Sequence, residues 1–301
     1  MSNQDVEKKP SETALFTALR RALAHLEYQD EKLGPDRMAI HFLPPHFRFF
    51  LKFTKIQANT WQKLAAAFPG MNEYVIARTA HFDQLFVQGL QDRMPQIVLL
   101  GAGYDSRAYR FSGLNQASQV FELDIAPTQD RKKQCLKAAH IPIPPQVKLV
   151  PVDFNRESIG TALKNAGYQN DQKTLFLWEG VSYYLDPAAV DATLAFASQA
   201  APGSRMAFDY VVTITEANQD LLYGAQAFVR SMHQQHANEG ITFSLDEGQI
   251  EAFLAQRGLQ LVEHLDHTAI ASAYLLDQNG TPLGRLAGYF RFVTASPMVS
   301  P

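Results

Sequence analysis

The chain has 301 residues, 46% hydrophobic and 19% charged, with 17 Gly, 16 Pro and a formal charge of −3. That profile suits one large α/β domain with an appendage, or two modest domains, and excludes collagen-like, low-complexity and disordered classes. A near-neutral balance supplies no field for gripping a phosphate backbone, so nucleic acid is not an expected partner. The single cysteine, Cys135, excludes an internal disulfide framework and a Cys-rich metal cluster. The opening residues lack the basic-then-apolar layout of a signal peptide, and no run of about 18 apolar residues occurs. The expectation is a cytoplasmic chain with no membrane span.

Residues 1–95 read as helical, with apolar periodicity around 12–28, 47–68 and 72–92 and no convincing strand. Residues 42–53 hold Phe42, Phe47, Phe49, Phe50 and Phe53, with Arg48 and Lys52 among them. The plain reading is a helical hairpin packed on the rest of the chain. A sharper one is a lid over an apolar substrate, lined by Phe47 and Phe50. Membrane-surface binding is the weaker reading, because the basic residues are few.

From residue 96 short apolar runs alternate with helix-length segments. Strands are predicted at 96–100, 119–125, 147–153, 174–178, 205–212, 259–265 and 289–293. Asp186-Pro187 reads as the N-cap and first-turn proline of a helix stopped by Gly203. Ser244 to Glu247 reads as a capping box for a helix ending near Gly258. Such alternation predicts a parallel sheet covered on both faces, which binds ligands beyond the carboxyl ends of its strands.

The first strand runs into Gly101-Ala-Gly103-Tyr-Asp105-Ser106. Paired glycines at a strand-to-helix turn let backbone approach a nucleotide closely. Ser106 replaces the third glycine of the NAD fingerprint, and Asp105 sets a carboxylate where a pyrophosphate would sit. A nicotinamide-dependent oxidoreductase is therefore disfavoured. A phosphate-free cofactor with a sulfonium and an ammonium suits the turn, and S-adenosylmethionine is of that kind. Asp124 lies 21 residues beyond Gly103, where an acid accepts hydrogen bonds from ribose hydroxyls. Strand alternation points Glu122 the same way, so geometry alone leaves both open. Asp153 and Phe154 offer a carboxylate for an exocyclic amine and an aromatic edge for adenine. Equally, Asp153 could cap a helix beginning near Asn155. Glu179 closes the fourth strand, facing the same crevice.

Four segments together resemble the leucine carboxyl methyltransferase family. They are Arg78-Thr-Ala-His-Phe-Asp83, Ile97-Val-Leu-Leu-Gly-Ala-Gly-Tyr-Asp-Ser-Arg-Ala-Tyr-Arg110, Phe121-Glu-Leu-Asp124 and Trp178-Glu-Gly-Val-Ser-Tyr-Tyr-Leu185. The resemblance implies an α/β fold with a Rossmann-like, seven-stranded, mostly parallel sheet whose last strand is reversed. An N-terminal helical lid, 1–95, would cover an S-adenosylmethionine-binding methyltransferase domain, 96–301. It further implies Arg78 on the methionine carboxylate, Gly101 and Gly103 at the cofactor turn, and Asp124 on the ribose. Asp153 and Phe154 would lie at the adenine and Glu179 at the methionyl end. A planar guanidinium suits the first role, since it grips a carboxylate through two parallel hydrogen bonds. Arg107 and Arg110 are expected to pair with nearby acids or face solvent.

Methyl transfer from a sulfonium is an in-line displacement that depends mainly on positioning. A carboxyl acceptor, of pKa about 4, is already ionised at neutral pH, whereas a phenol, of pKa about 10, benefits from a base. His25, His41, His46, His81 and His233 are candidates, none singled out, so no catalytic residue is assigned. Tyr183 and Tyr184 are expected to line the substrate. No His/Cys/Asp cluster has metal-ligand spacing, and Gly-x-Ser-x-Gly is absent. The expected reaction is O-methylation of a small, aromatic or lipophilic hydroxyl or carboxyl compound, as in the bacterial small-molecule branch. Methylation of a protein's C-terminal carboxylate is the runner-up, and a catalytically silent cofactor-binding module stays open.

Overall fold

Two of the expected strands, 96–100 and 174–178, are uninterrupted apolar runs, and both lie at the middle of one seven-stranded sheet. The computed structural model describes residues 10–30, 33–234 and 241–298, with 232–234 described by backbone alone. Residues 1–9, and the His233 side chain considered above, lie outside the described residues. The strands are β1 (Gln96–Leu100), β2 (Gln119–Asp124), β3 (Val147–Pro151), β4 (Thr174–Trp178), β5 (Arg205–Val211), β6 (Leu259–Leu265) and β7 (Phe290–Pro297). Their spatial order is β3-β2-β1-β4-β5-β7-β6. The first five run parallel, and β7 runs antiparallel to both β5 and β6. β1 and β4 are buried at every position, as a central parallel strand covered on both faces must be. β7 outlasts its apolar run because it is paired on both sides, with Ala295 opposite Met206 of β5 and Pro297 opposite Leu259 of β6. Strand order reverses between β1 and β4, which opens a crevice at their carboxyl ends.

The helices are α1 (Glu12–Tyr28), α2 (Pro45–Phe50), α3 (Thr54–Ala67), α4 (Met71–Gln91), α5 (Arg107–Arg110) and α6 (Ala126–Ala138), then α7 (Ile159–Asn165), α8 (Pro187–Ser198), α9 (Ala225–Gln234), α10 (Ile250–Ala255) and α11 (His267–Tyr274). Period-two alternation splits the core into two layers. Val98, Leu100, Phe176 and Trp178 face one, and Ile97, Leu99, Leu175 and Leu177 face the other. The second layer also holds Leu19 and Leu23 of α1 and Phe42, so the N-terminal helices share the core of the sheet. Residue 95 thus marks a change of sequence pattern, while the packing runs straight across it. None of the described helices is long and apolar enough to cross a membrane.

Several local expectations are corrected. The helix expected over 47–68 breaks at Leu51 into α2 and α3. α8 starts at Pro187 but ends at Ser198, and Gly203 instead takes a positive φ of 86° in the turn before β5. Ser244 and Glu247 form no capping box: the hydroxyl meets Thr213 Oγ1 at 3.2 Å, and the carboxylate pairs with Arg291 at 2.5 Å. α10 therefore starts later, at Ile250. Asp153 caps no helix either. Its carboxylate accepts from the Asn155 amide at 3.0 Å, and Ser158 caps α7.

Candidate active site

A cavity of about 240 Å³ opens at the carboxyl ends of β1, β2 and β4. Its floor is the Gly101–Asp105 turn, its far walls carry Asp124, Phe154 and Glu179, and α1 contributes Thr17 and Arg21, with its N-cap Ser11 beside them. Gly101 takes φ 66°, and a Cβ there would stand 2.4 Å from Val181 Cγ2. Conformation and space both require glycine at that position.

Asp124 is held by backbone. The Gly103 amide donates to Oδ2 at 2.6 Å and the Ile125 amide to Oδ1 at 2.8 Å. Burial pushes the Asp124 carboxyl up to about 6, against those two amides, which favour its charged form. Glu122 takes a different role. It is fully buried, with Lys132 Nζ 2.6 Å away and the Tyr109 hydroxyl donating at 3.2 Å. Of the two acids of β2, Asp124 is the one that lines the cavity.

A charged lattice closes the cavity's other side. Arg107 is 1% exposed, and its guanidinium lies 2.6 Å from Asp105 Oδ2, 2.6 Å from Glu179 Oε2 and 2.7 Å from Asp83 Oδ1. Burial raises the Asp105 carboxyl, but Arg107, Lys132, the Arg107 amide and Arg21 together outweigh it and hold the group at about 2. Arg78 donates from Nε to Glu179 Oε1 at 2.9 Å and lies 3.6 Å from Asp209 Oδ2. Asp209 accepts from the Gly180 amide at 2.6 Å and, by a short bond, from the Tyr74 hydroxyl. Each guanidinium is thus braced by acids yet reaches the cavity wall.

The structure brings Arg78, Gly101, Gly103, Asp124, Phe154, Glu179 and Tyr184 together around one cavity. It does not bring Asp153, Tyr183, Phe47 or Phe50 to that wall. Asp153 spends its carboxylate on its own turn. Tyr183 is buried behind Arg78, its hydroxyl accepting from Nη1 at 3.3 Å. Phe47 and Phe50 belong to α2, a short helix with no buried residue. Arg107 pairs with acids as expected, but it does so in the cavity wall. Asp209, Tyr74 and the α1 residues went unnoticed in the sequence. The one available signal was an aspartate inside the apolar run 205–212.

Among the described residues no histidine lines the cavity. His25 Nδ1 meets the Gly34 carbonyl at 2.7 Å, and His81 meets the Tyr274 hydroxyl at 2.8 Å, where burial pushes it down to about 4. No group of three metal-ligating side chains is found among the described residues. Three carboxylates (Asp105, Asp124 and Glu179) and three guanidiniums (Arg21, Arg78 and Arg107) on one small wall suit a phosphate-free ligand that carries hydroxyls, a carboxylate and cationic centres. A pyrophosphate would face the acids. The chemistry of this donor set therefore fits S-adenosylmethionine.

The sequence profile of the leucine carboxyl methyltransferase family matches residues 14–198, which span β1 to β4 and nearly the whole cavity wall. The chain belongs to that family. It is 34% identical over 198 residues to YktD of Bacillus subtilis, provisionally named an S-adenosyl-L-methionine-dependent methyltransferase, covering 63% of this chain and 62% of that one. It is 30% identical over 211 residues to Rv0731c of Mycobacterium tuberculosis, named in the same way, covering 68% and 64%. The matched part thus spans under two thirds of these relatives' lengths. A solved structure from Thermobifida fusca, provisionally named a methyltransferase, superimposes with a TM-score of 0.59 at 16% identity, covering 97% of this chain and 96% of that one. That likeness establishes a shared fold.

Proposed function

We propose that the chain is an S-adenosylmethionine-dependent O-methyltransferase acting on a small, aromatic or lipophilic compound with a carboxyl or hydroxyl group. The observation that carries this reading is the single cavity in which Asp124, Glu179, Arg78 and the Gly101–Gly103 turn converge. Bound there, the cofactor supplies an electrophilic methyl group on a sulfonium. Asp124 accepts from ribose hydroxyls, Phe154 packs at the adenine, and Arg78 holds the carboxylate. Glu179, fixed by two guanidiniums, keeps the methionyl end in place, and Tyr184 stands on the acceptor side. The chain's contribution is positioning, an effect worth up to about 7–11 kcal/mol when the reacting atoms are aligned.

Between the two acceptor groups, a carboxylate is the simpler reading. The cavity wall holds no histidine among the described residues, and an ionised carboxylate needs no proton removed.

The test combines purified protein, methyl-labelled S-adenosylmethionine and an extract of the source cells. Products are separated by size and treated with mild base. Label in the small-molecule fraction, released as methanol, is the expected result and means a methyl ester. Base-stable label would mean an ether or amine. Label on protein would shift the reading to C-terminal carboxyl methylation. Cofactor binding without labelled product in any fraction would leave a silent binding module.

A further inference from the structure

Two helices of the N-terminal segment contain no fully buried residue: α3 packs on the core only through the half-buried Trp61 and Leu64, and α2 has no such residue. Phe49, Phe50 and Phe53 are 56%, 50% and 50% exposed, and Phe47 and Ile56 are exposed beside them in sequence. The rings are not scattered. Phe49 meets both Phe50 and Phe53 edge-on, with centroids 5.7 Å apart in each pair. Single exposed apolar side chains are ordinary, but a contiguous group marks an interaction surface.

The charge around these rings is one-sided. Residues 37–72 contain Arg37, Arg48, Lys52, Lys55 and Lys63 and no acid, in a chain where Asp and Glu outnumber Lys and Arg by 30 to 27. Among the described residues none of these five cations takes part in an ion pair. In the sequence the basic residues look few. In the structure none of the five pairs with an acid among the described residues, and they are interleaved in sequence with exposed rings.

We propose that the α2–α3 face is a peripheral docking surface for an anionic lipid bilayer. The phenyl rings enter the boundary between headgroups and acyl chains, while Arg48, Lys52 and Lys55 meet the negative headgroups. A ridge of rings with cations between them suits a fluid surface that supplies apolar depth and negative charge in any register. A second copy of the chain docked on the same face would instead set like charges against each other. α3 packs on α1 through Tyr28 and Trp61, whose ring centroids are 6.4 Å apart, and α1 walls the cavity. Docking therefore holds the cavity-bearing helix beside the bilayer. This inference stands whether or not the chain transfers a methyl group.

The test is sedimentation of the full chain with phosphatidylcholine vesicles, with and without phosphatidylserine, at low and high salt. We expect retention by the phosphatidylserine vesicles alone, and its loss in high salt. Two double variants probe the face: Phe49→Ser with Phe53→Ser, and Lys52→Glu with Lys55→Glu. Each should weaken vesicle binding by more than about tenfold. Their melting temperatures and S-adenosylmethionine affinities should match wild type, since all four residues are exposed and outside the cavity wall. Equal binding by wild type and both variants would overturn the proposal, as would retention by neutral vesicles independent of salt. So would a dimer in solution that the phenylalanine variant converts to monomer, which would give the face to a second copy. Failure of any vesicle to retain the chain at low salt would overturn it.

Discussion

Arg78 of α4 and Glu179, just past β4, stand 101 residues apart in the chain and 2.9 Å apart in the fold. The second Glu179 oxygen lies 2.6 Å from Arg107, so one carboxylate sets the positions of two buried guanidiniums. Neither arginine has to be ordered when ligand arrives. Arg78→Lys keeps the charge but loses the planar fork, and Asp124→Ala removes an acceptor for hydroxyls. Each is expected to weaken S-adenosylmethionine binding by about 1.5–3 kcal/mol. Calorimetry decides it, and wild-type affinity in both variants would remove the cofactor from this cavity.

Asp124 makes binding depend on pH. Its carboxyl is held at about 6, above the ordinary 3.8, so the free protein takes up a proton as pH falls through about 6. Hydroxyl donors of a ligand favour the ionised form, so affinity should be flat above that value and decline below it. The expected loss is about tenfold one unit below the midpoint. Affinity titrations across that range in wild type and Asp124→Asn check this. The same slope in both would assign it to another group.

Acid stability should report the opposite shift. Asp105 is held at about 2 beside Arg107, below its ordinary 3.8. Its contribution to stability is present above the ordinary value and is lost as pH falls toward about 2. Arg107→Met leaves Asp83, Asp105 and Glu179 without a shared partner, at an expected cost of about 3–5 kcal/mol at neutral pH. Denaturant melts should show that loss, together with a shallower acid limb. A variant as stable as wild type would mean that the acids are neutralised in another way.

Gly101→Ala tests the cofactor turn. The added methyl group would stand 2.4 Å from Val181, on a backbone of positive φ. The expected result is folded protein whose S-adenosylmethionine affinity falls at least tenfold, because the turn must shift. Unimpaired binding would show that the ligand does not lie against this turn.

Aromatic residues should divide by position. Tyr184→Ala, in the cavity wall, should raise the acceptor's KM more than the cofactor's. Phe47→Ala and Phe50→Ala, on exposed α2, should leave both unchanged in soluble assays. Equal effects from all three would restore the lid reading of residues 42–53.

The strand runs and the glycine turn were legible because burial on both faces leaves unbroken apolar sequence and tight turns admit few residues. β4 matches its expected span residue for residue, and so does β6. Caps were less legible. Ser244 and Glu247 had the right spacing, but tertiary partners, Thr213 and Arg291, took both side chains. Asp124, Asp153 and Glu179 were visible as a series at the ends of β2, β3 and β4, but only Asp124 and Glu179 reach the cavity. Their different states were not visible.

By itself the sequence determined the alternation of strands and helices, the position of the ligand crevice, and the glycine and acid positions around it. Those are local properties, set by side-chain period and by backbone conformations that few residues tolerate. Only the tertiary structure decided which carboxylate faces the cavity. Glu122 and Asp124 are equivalent by alternation, yet Lys132 claims the first and the cavity keeps the second. It alone joined Arg78, Arg107 and Asp209 into one lattice, and it alone left Phe49, Phe50 and Phe53 exposed. Burial and charge pairing depend on residues a hundred positions apart, and no local pattern records which of them will meet.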